Sequence, residues 1–387
     1  VPITPLALPS GPAVLEAIPD LEQALTGTAP ILPRAPEESP EVPGGDLPDD
    51  LAAVVATSGS TGSPKLTLLT ATALLASARA TATFLGGHGQ WLLALPPHHV
   101  AGLQVLLRSI TAGTTPVVIE EAAPFALVQA TASMTGQRRY TSLVPTQLAR
   151  LVEDPMGLEA LRRFDAILLG GAAAPPGLLD RARSLGVRVV TTYGMSETCG
   201  GCVYNGSPLE DVHVREGEDG RLEIGGPVLA AGYLGDAGGA SPFVTDPDGS
   251  RWYRTNDIGT VDERGRVSVH GRADDLINTG GLKVAPRLVE EAVLHHVPAI
   301  TEAVAVGVPD PEWGQAVSVA AVTSPGGPQP GPVPDAGVAE IREMLRSHLP
   351  AHALPRRVHV VTEMPLRGPG KPDRSAVTGL FAGGPAS

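Results

Sequence analysis

Apolar positions along this chain follow one pattern up to about residue 200 and another beyond it. In the first part, short apolar runs at residues 52–56, 91–95, 116–119, 140–144, 165–169 and 187–191 read as strands. Between them apolar residues return at helical spacing. Leu74, Leu75, Ala78, Ala82 and Leu85 form one such stripe, with Thr70 placed to cap the helix N-terminus. Residues 103–110, 146–152 and 177–185 form others. Strands alternating with helices predict a largely parallel sheet covered by helices.

After residue 200 the runs shorten. Residues 221–224, 252–255, 258–262 and 266–270 are strand-like and separated by Gly or Asp, which predicts a small antiparallel, barrel-like β subdomain. A further change follows Arg272-Ala273-Asp274-Asp275. Beyond it come a helix at 287–296 and strands at 303–308 and 316–323. A Pro/Gly loop at 324–334, an amphipathic helix carrying Val338, Ile341 and Leu345, and a strand at 357–361 complete the pattern. The expected fold is therefore α/β. A large domain at 1–271 has mostly parallel sheets and the β subdomain, a junction lies at 272–275, and a smaller α+β domain spans 276–387. Residues 33–50, proline-rich and acidic, read as a surface excursion. No internal repeat is found.

The 387-residue length and 42% apolar content suit a multidomain globular protein. A formal charge of −13 argues against nonspecific binding to nucleic acid or anionic membranes, so any anionic ligand must be held by local donors. No apolar run approaches the roughly 20 residues of a membrane span, and no secretory pattern opens the chain, so the expected compartment is the cytoplasm. The cysteines, Cys199 and Cys202, enclose two glycines. A structural zinc needs two further ligands that no second pair supplies, and the expectation is two small residues near a glycine turn without a redox role.

Against that acidic background, Thr57-Ser58-Gly59-Ser60-Thr61-Gly62-Ser63-Pro64-Lys65 stands out. Glycines admit close backbone approach, hydroxyls and N–H groups donate, and lysine adds charge, so the run suits a polyphosphate. It is not a Walker A loop, because Ser63 and Pro64 separate Gly62 from Lys65 and Leu66 follows. A flexible Ser/Gly linker would have similar composition.

Further glycine-bearing polar segments follow in order: Gly170-Gly171-Ala172, Thr192-Tyr193-Gly194-Met195-Ser196-Glu197-Thr198, Tyr253-Arg254-Thr255-Asn256-Asp257, Gly271-Arg272-Ala273-Asp274-Asp275 and Gly368-Pro369-Gly370-Lys371. In this order they resemble the motifs of the adenylate-forming superfamily: acyl-CoA synthetases, adenylation domains and firefly-type luciferases. The resemblance covers about residues 52–375. Three segments resemble the o-succinylbenzoate–CoA ligases of menaquinone biosynthesis in particular. They are Leu95-Pro96-Pro97-His98-His99-Val100-Ala101-Gly102-Leu103 with Arg108, Ser142-Leu143-Val144-Pro145-Thr146-Gln147-Leu148, and Gly194-Met195-Ser196-Glu197-Thr198-Cys199-Gly200-Gly201.

The resemblance implies a role for each motif. Thr57, Ser58, Ser60, Thr61 and Lys65 would hold the ATP β- and γ-phosphates. Tyr193 would stack on adenine, with Gly170, Gly171 and Ala172 across the base and Thr192 and Gly194 beside it. Ser196 takes the phosphate-contacting position, Glu197 the Mg²⁺-ligand position, and Asp257 would accept the ribose hydroxyls. Arg272 would reach the ribose or phosphate region. Lys371, on a mobile C-terminal domain, would bridge the substrate carboxylate and α-phosphate. His99 matches an acyl-site position, beside His98 where an aromatic is common. Arg108 would pair with a second substrate carboxylate. Gly280 and Gly281 would line the CoA channel once the small domain rotates about Asp274, and Trp313 reads as packing.

The implied activity joins a small carboxylic acid, o-succinylbenzoate, to CoA through an acyl-adenylate, using ATP and Mg²⁺. Another aryl or fatty acid–CoA ligase, a stand-alone carrier-loading adenylation enzyme and a non-catalytic nucleotide sensor are the alternatives. Leu66 departs from the family's usual glycine, which predicts altered loop packing without loss of activity. Only 56 residues precede the loop, far fewer than most members of the family it resembles carry. That predicts an acyl pocket left partly unwalled, remodelled, or completed by the second subunit of a homodimer.

Overall fold

The computed structural model describes residues 2–42, 44–57, 65–174, 177–235, 241–324, 326–366 and 372–382. A seven-stranded sheet stands where strand–helix alternation predicts one. Its order is Ser207–Pro208, Gly200–Tyr204, Val189–Met195, Ala166–Leu169, Arg139–Leu143, Gln90–Leu93 and Val117–Val118. The last five are parallel and the first two turn back antiparallel. Both faces of this sheet are covered, which is why its strands read as continuous apolar runs. Trp91, Leu93, Ala166 and Leu168 enter the core that holds Leu103 and Leu106 of the helix Val100–Thr111. Leu92, Ile167 and Leu169, one residue out of step, enter the opposite core with Leu148 and Leu151 of the helix Pro145–Glu153. The helix Ala71–Phe84 begins as expected: the Ala73 N–H donates to the Thr70 hydroxyl at 3.1 Å.

A second sheet, in the order Thr4–Ala7, Ile31–Arg34, Leu51–Thr57, Lys65–Thr70 and Gly232–Tyr233, is mixed. Its first three strands are parallel. Leu51–Thr57 and Lys65–Thr70 form an antiparallel hairpin, so the parallel pattern stops at the hydroxyl-rich loop. Lys65, Leu66, Thr67 and Leu68 alternate polar and apolar, yet Thr67, Leu68 and Leu69 are all buried, so both faces of this strand are covered over its second half. Leu66 lies opposite Ala56 and packs beside Leu32, Val54 and Leu68.

The β subdomain comprises His213–Glu216, Arg221–Gly225, Phe243–Thr245, Arg251–Val261 and Val267–Arg272, all antiparallel. No pairing among the described residues closes it into a barrel. Residues 252–255 and 258–261, expected in two separate strands, belong to the single strand Arg251–Val261, which ends one residue before the expected 262 and whose register shifts between Ile258 and Gly259. The smaller C-terminal domain pairs the long strands Ile300–Asp310 and Gly314–Thr323, with Arg357–Val360 parallel to the second. Val289 and Val293 of the helix Pro286–His296, with Val317, Val319, Leu345 and Val358, form a core of its own. No helix among the described residues is long and apolar enough to cross a membrane.

Candidate active site

The hairpin that carries the hydroxyl-rich loop ends in paired residues, Thr57 opposite Lys65, and the Thr57 hydroxyl donates to the Lys65 carbonyl at 3.2 Å. Ser58, Ser60 and Thr61 lie outside the described residues. The Lys65 ammonium rests over the ring of Tyr233, 5.0 Å from its centroid. Tyr233 is held there because the strand Gly232–Tyr233 pairs with Lys65–Thr70, Tyr233 opposite Thr67.

The Tyr233 hydroxyl donates to Glu197 Oε1 at 2.7 Å and lies 3.4 Å from the Tyr253 hydroxyl. Glu197 is only 8% exposed and sits in the short turn Ser196–Thr198, fixed by Thr198 Oγ1, which accepts from the Met195 N–H at 3.0 Å. Burial, then the Glu197 charge, pushes the Tyr233 phenol well above its ordinary range, so it stays a donor. Sequence reading assigned Tyr233 no role. Its signal was compositional: the chain has five tyrosines, and Tyr193, Tyr233 and Tyr253 gather in this region.

Tyr193, on Val189–Met195, donates its hydroxyl to Asp257 Oδ2 at 2.7 Å. Burial raises the Asp257 carboxyl above its ordinary value, against the opposing pull of the Tyr193 hydrogen bond and Arg272. Arg272 lies opposite Asp257 across the strand pair and points its guanidinium at Asp274, both contacts at 2.9 Å. The next carboxylate, Asp275, pairs instead with Arg374 at 3.2 Å. The two junction acids thus hold opposite sides of the chain.

Gly170, Gly171 and Ala172 follow the strand Ala166–Leu169. A Cβ at Gly170 would collide with the Thr192 hydroxyl, and one at Gly194 with the Gly200 carbonyl. Glycine is required at both positions by close approach of neighbouring chain. Gly171 also abuts Val144, which lines a cavity of about 180 Å³ together with residues 93–97 and Gln147. This cavity lies at the carboxyl ends of the parallel strands, where ligands collect in such sheets.

His99 sits at the start of the helix Val100–Thr111, its ring 4.3 Å from that of His98. Arg108 ends up at the far end of the same helix, roughly 14 Å along its axis from His99. It is 5% exposed, stands over Trp91 at 5.2 Å, and donates to the Tyr204 hydroxyl at 3.4 Å. Its Nε has no hydrogen-bond partner, and among the described residues no carboxylate lies within ion-pair distance of it. The cavity beside it is only about 10 Å³. In the C-terminal domain Gly280 and Gly281 form the turn between Ile277–Thr279 and Leu282–Val284, with φ of 60° and 79°. Trp313 packs against Gly280, as a packing residue should. Lys371 lies outside the described residues.

The donor set fits a hard cation only in part. Among the described residues no group of three His, Cys, Asp or Glu converges. Glu197 could hold Mg²⁺ only with oxygens brought by phosphates, which is how that ion is commonly bound.

The family model for the AMP-binding enzyme matches residues 10–234, and that for the AMP-binding enzyme C-terminal domain matches residues 289–371. A probable 2-succinylbenzoate–CoA ligase of Mycobacterium tuberculosis is 43% identical over 393 residues, 98% of either chain. A 2-succinylbenzoate–CoA ligase of Bacillus licheniformis is 32% identical over 347 residues, 84% of this chain and 69% of that protein. Among solved structures, o-succinylbenzoate CoA synthetase from Bacillus subtilis in complex with its acyl-adenylate intermediate superposes with a TM-score of 0.76 at 26% identity. It covers 97% of this chain and 87% of that one.

Proposed function

Because the chain belongs to the AMP-binding enzyme family, we propose that it is an ATP-dependent acid–CoA ligase that converts o-succinylbenzoate to o-succinylbenzoyl-CoA in menaquinone biosynthesis. In the first step a substrate carboxylate oxygen attacks the α-phosphorus of ATP, the bond to the β-phosphate breaks, and pyrophosphate leaves with its electron pair. In the second, the CoA thiolate attacks the acyl carbon and AMP leaves. The identity of the acid follows that of the relatives. The reaction class is supported by one juxtaposition: the Tyr193–Asp257 hydrogen bond accompanies a lysine–tyrosine–glutamate series, Lys65, Tyr233 and Glu197, that begins at the last residue of the hydroxyl-rich sequence.

In this reading Asp257 accepts the ribose hydroxyls, as an acceptor-only carboxylate does, and the Tyr193 ring faces adenine opposite Gly170, Gly171 and Ala172. Thr192 and Gly194 shape that slot, and Ser196 donates to phosphate. Lys65 and the loop Thr57, Ser58, Ser60 and Thr61 hold the departing pyrophosphate. Glu197 holds Mg²⁺, which supplies charge neutralisation on the phosphates. Arg272, now paired with Asp274, turns to the nucleotide when the small domain rotates about Asp274, a hinge change of known type. Lys371 contributes the cation for adenylation, whereas Gly280 and Gly281 flank CoA in the second step, with His99 at the acyl end. Arg108 receives the second carboxylate of the acid. A buried guanidinium without an anion is costly, and helical side chains lean toward the helix N-terminus, here the His99 end.

ATP–pyrophosphate exchange across a panel of acids tests this reading. Exchange should depend on o-succinylbenzoate and be slow with benzoate and with fatty acids. Exchange with equal efficiency across the panel contradicts the assignment of the acid, and none with any acid contradicts adenylation.

A further inference from the structure

Glu197 presents a physical problem. A carboxylate 8% exposed needs compensation, yet among the described residues no arginine or lysine lies within ion-pair distance of it. The compensating donor is the Tyr233 hydroxyl at 2.7 Å, a short O–H···O⁻ contact of the strong, charge-assisted kind. The nearest motif cation, Lys65, is also engaged by Tyr233, but by the ring, 5.0 Å from its centroid. One side chain therefore holds both groups at opposite ends.

Tyr233 is itself well fixed. Its backbone pairs with Thr67 two residues from Lys65, and the next N–H, that of Leu234, donates to Leu66 O at 2.7 Å. Phe243 packs on its ring at 5.7 Å, and the Tyr253 hydroxyl stands 3.4 Å from its own. The hairpin of the phosphate loop, the Ser196–Thr198 turn and the long strand Arg251–Val261 thus meet on this residue. If Tyr233 were small, Lys65 and Glu197 would be free to collapse into a direct ion pair, which would consume the cation meant for phosphate and the carboxylate meant for a metal.

We infer that Tyr233 is a positioning residue of the nucleotide site. Its hydroxyl orients the Glu197 carboxylate toward the divalent cation, and its ring keeps the Lys65 ammonium apart from that carboxylate. The inference rests on the reading of Glu197 as the cation ligand. Partners in the outer shell of a metal ligand commonly change metal affinity or activity by about 10–100-fold.

The test is calorimetric binding of ATP to the full chain, titrated with Mg²⁺ and repeated in EDTA, for wild type, Tyr233→Phe, Tyr233→Leu and Glu197→Gln. Tyr233→Phe keeps the ring and should raise the Mg²⁺ concentration for half-maximal gain in ATP affinity about 10-fold, with binding in EDTA unchanged. Tyr233→Leu should in addition weaken ATP binding in EDTA, because Lys65 loses its seat. If the Tyr233→Phe titration overlays wild type while that of Glu197→Gln shifts, the positioning role is overturned and the Glu197 reading stands. If Glu197→Gln also overlays wild type, the metal-ligand reading fails, and this inference with it. An equal loss for Tyr233→Phe with and without Mg²⁺ would mark general loosening and likewise overturn it.

Discussion

The phenol of Tyr193 and the carboxylate of Asp257 share a 2.7 Å hydrogen bond across 64 residues of sequence. The bond ties the side chain proposed to face adenine to the one proposed to accept ribose. It also sets a pH dependence. Burial lifts the Asp257 carboxyl, and the Tyr193 donation pulls it back toward the charged form. Ribose recognition needs the charged form, so ATP affinity falls as pH drops through the raised value. Tyr193→Phe removes a contribution that favours ionisation, so its acid limb should move to higher pH. Asp257→Asn should abolish the limb and weaken ATP binding by about 10-fold or more, the scale of a hydrogen bond to a charged group. In folding terms the sign is the reverse of a salt-bridged acid: ionising Asp257 costs stability as pH rises through its native value. An unshifted limb in Tyr193→Phe speaks against this coupling.

Arg108 makes the acid's second carboxylate testable. Lysine cannot reproduce the planar fork of arginine, so Arg108→Lys should lower kcat/KM for o-succinylbenzoate by about 10-fold or more while leaving KM for ATP unchanged. Steady-state pyrophosphate release measures both. A parallel loss for both substrates points to packing around Trp91 and Tyr204 instead.

Stability in acid should depend on Glu223. It is 3% exposed and accepts from Arg254 and Arg215, each at 2.8 Å. Burial alone would raise its carboxyl, but the two arginines outweigh it and hold it below the ordinary range. For a depressed acid the contribution is complete above the unfolded value, about 4.3, and is lost as pH falls through the native one. Glu223→Gln should cost about 1.5–3 kcal/mol at neutral pH. The difference in melting temperature from wild type should close below about pH 4. A difference that persists undiminished at pH 3 rules this out.

Cys199 and Cys202 are fully buried, and burial pushes the Cys202 thiol up to about 12 and the Cys199 thiol higher still. Thiolate is the reactive form, so iodoacetamide at pH 8 should label neither in the native chain and both after denaturation. Native labelling at the rate of free cysteine contradicts this.

Much of this fold was legible, for identifiable reasons. Strands covered on both faces, such as Ala166–Leu169, appear as unbroken apolar runs, and a hydroxyl such as Thr70 marks a helix start. What was missed breaks those signals. The strand Arg251–Val261 read as two because Asn256 and Asp257 interrupt it with polar residues, and Asp257 is there for chemistry. Thr4–Ala7 and Lys65–Thr70 are short and partly exposed. Within the site, Tyr193, Glu197 and Asp257 stood inside motifs. Tyr233 acquires its place only through pairing with a strand far away in sequence, and no local pattern records that.

The central claim is that this chain makes o-succinylbenzoyl-CoA through an adenylate. Its most direct measurement is CoA-dependent AMP release with the thioester identified by mass, using o-succinylbenzoate against benzoates and fatty acids. The account predicts one AMP and one o-succinylbenzoyl-CoA per ATP consumed, with little turnover of the other acids. AMP release at comparable rates from monocarboxylic acids, or no thioester from o-succinylbenzoate, would contradict it.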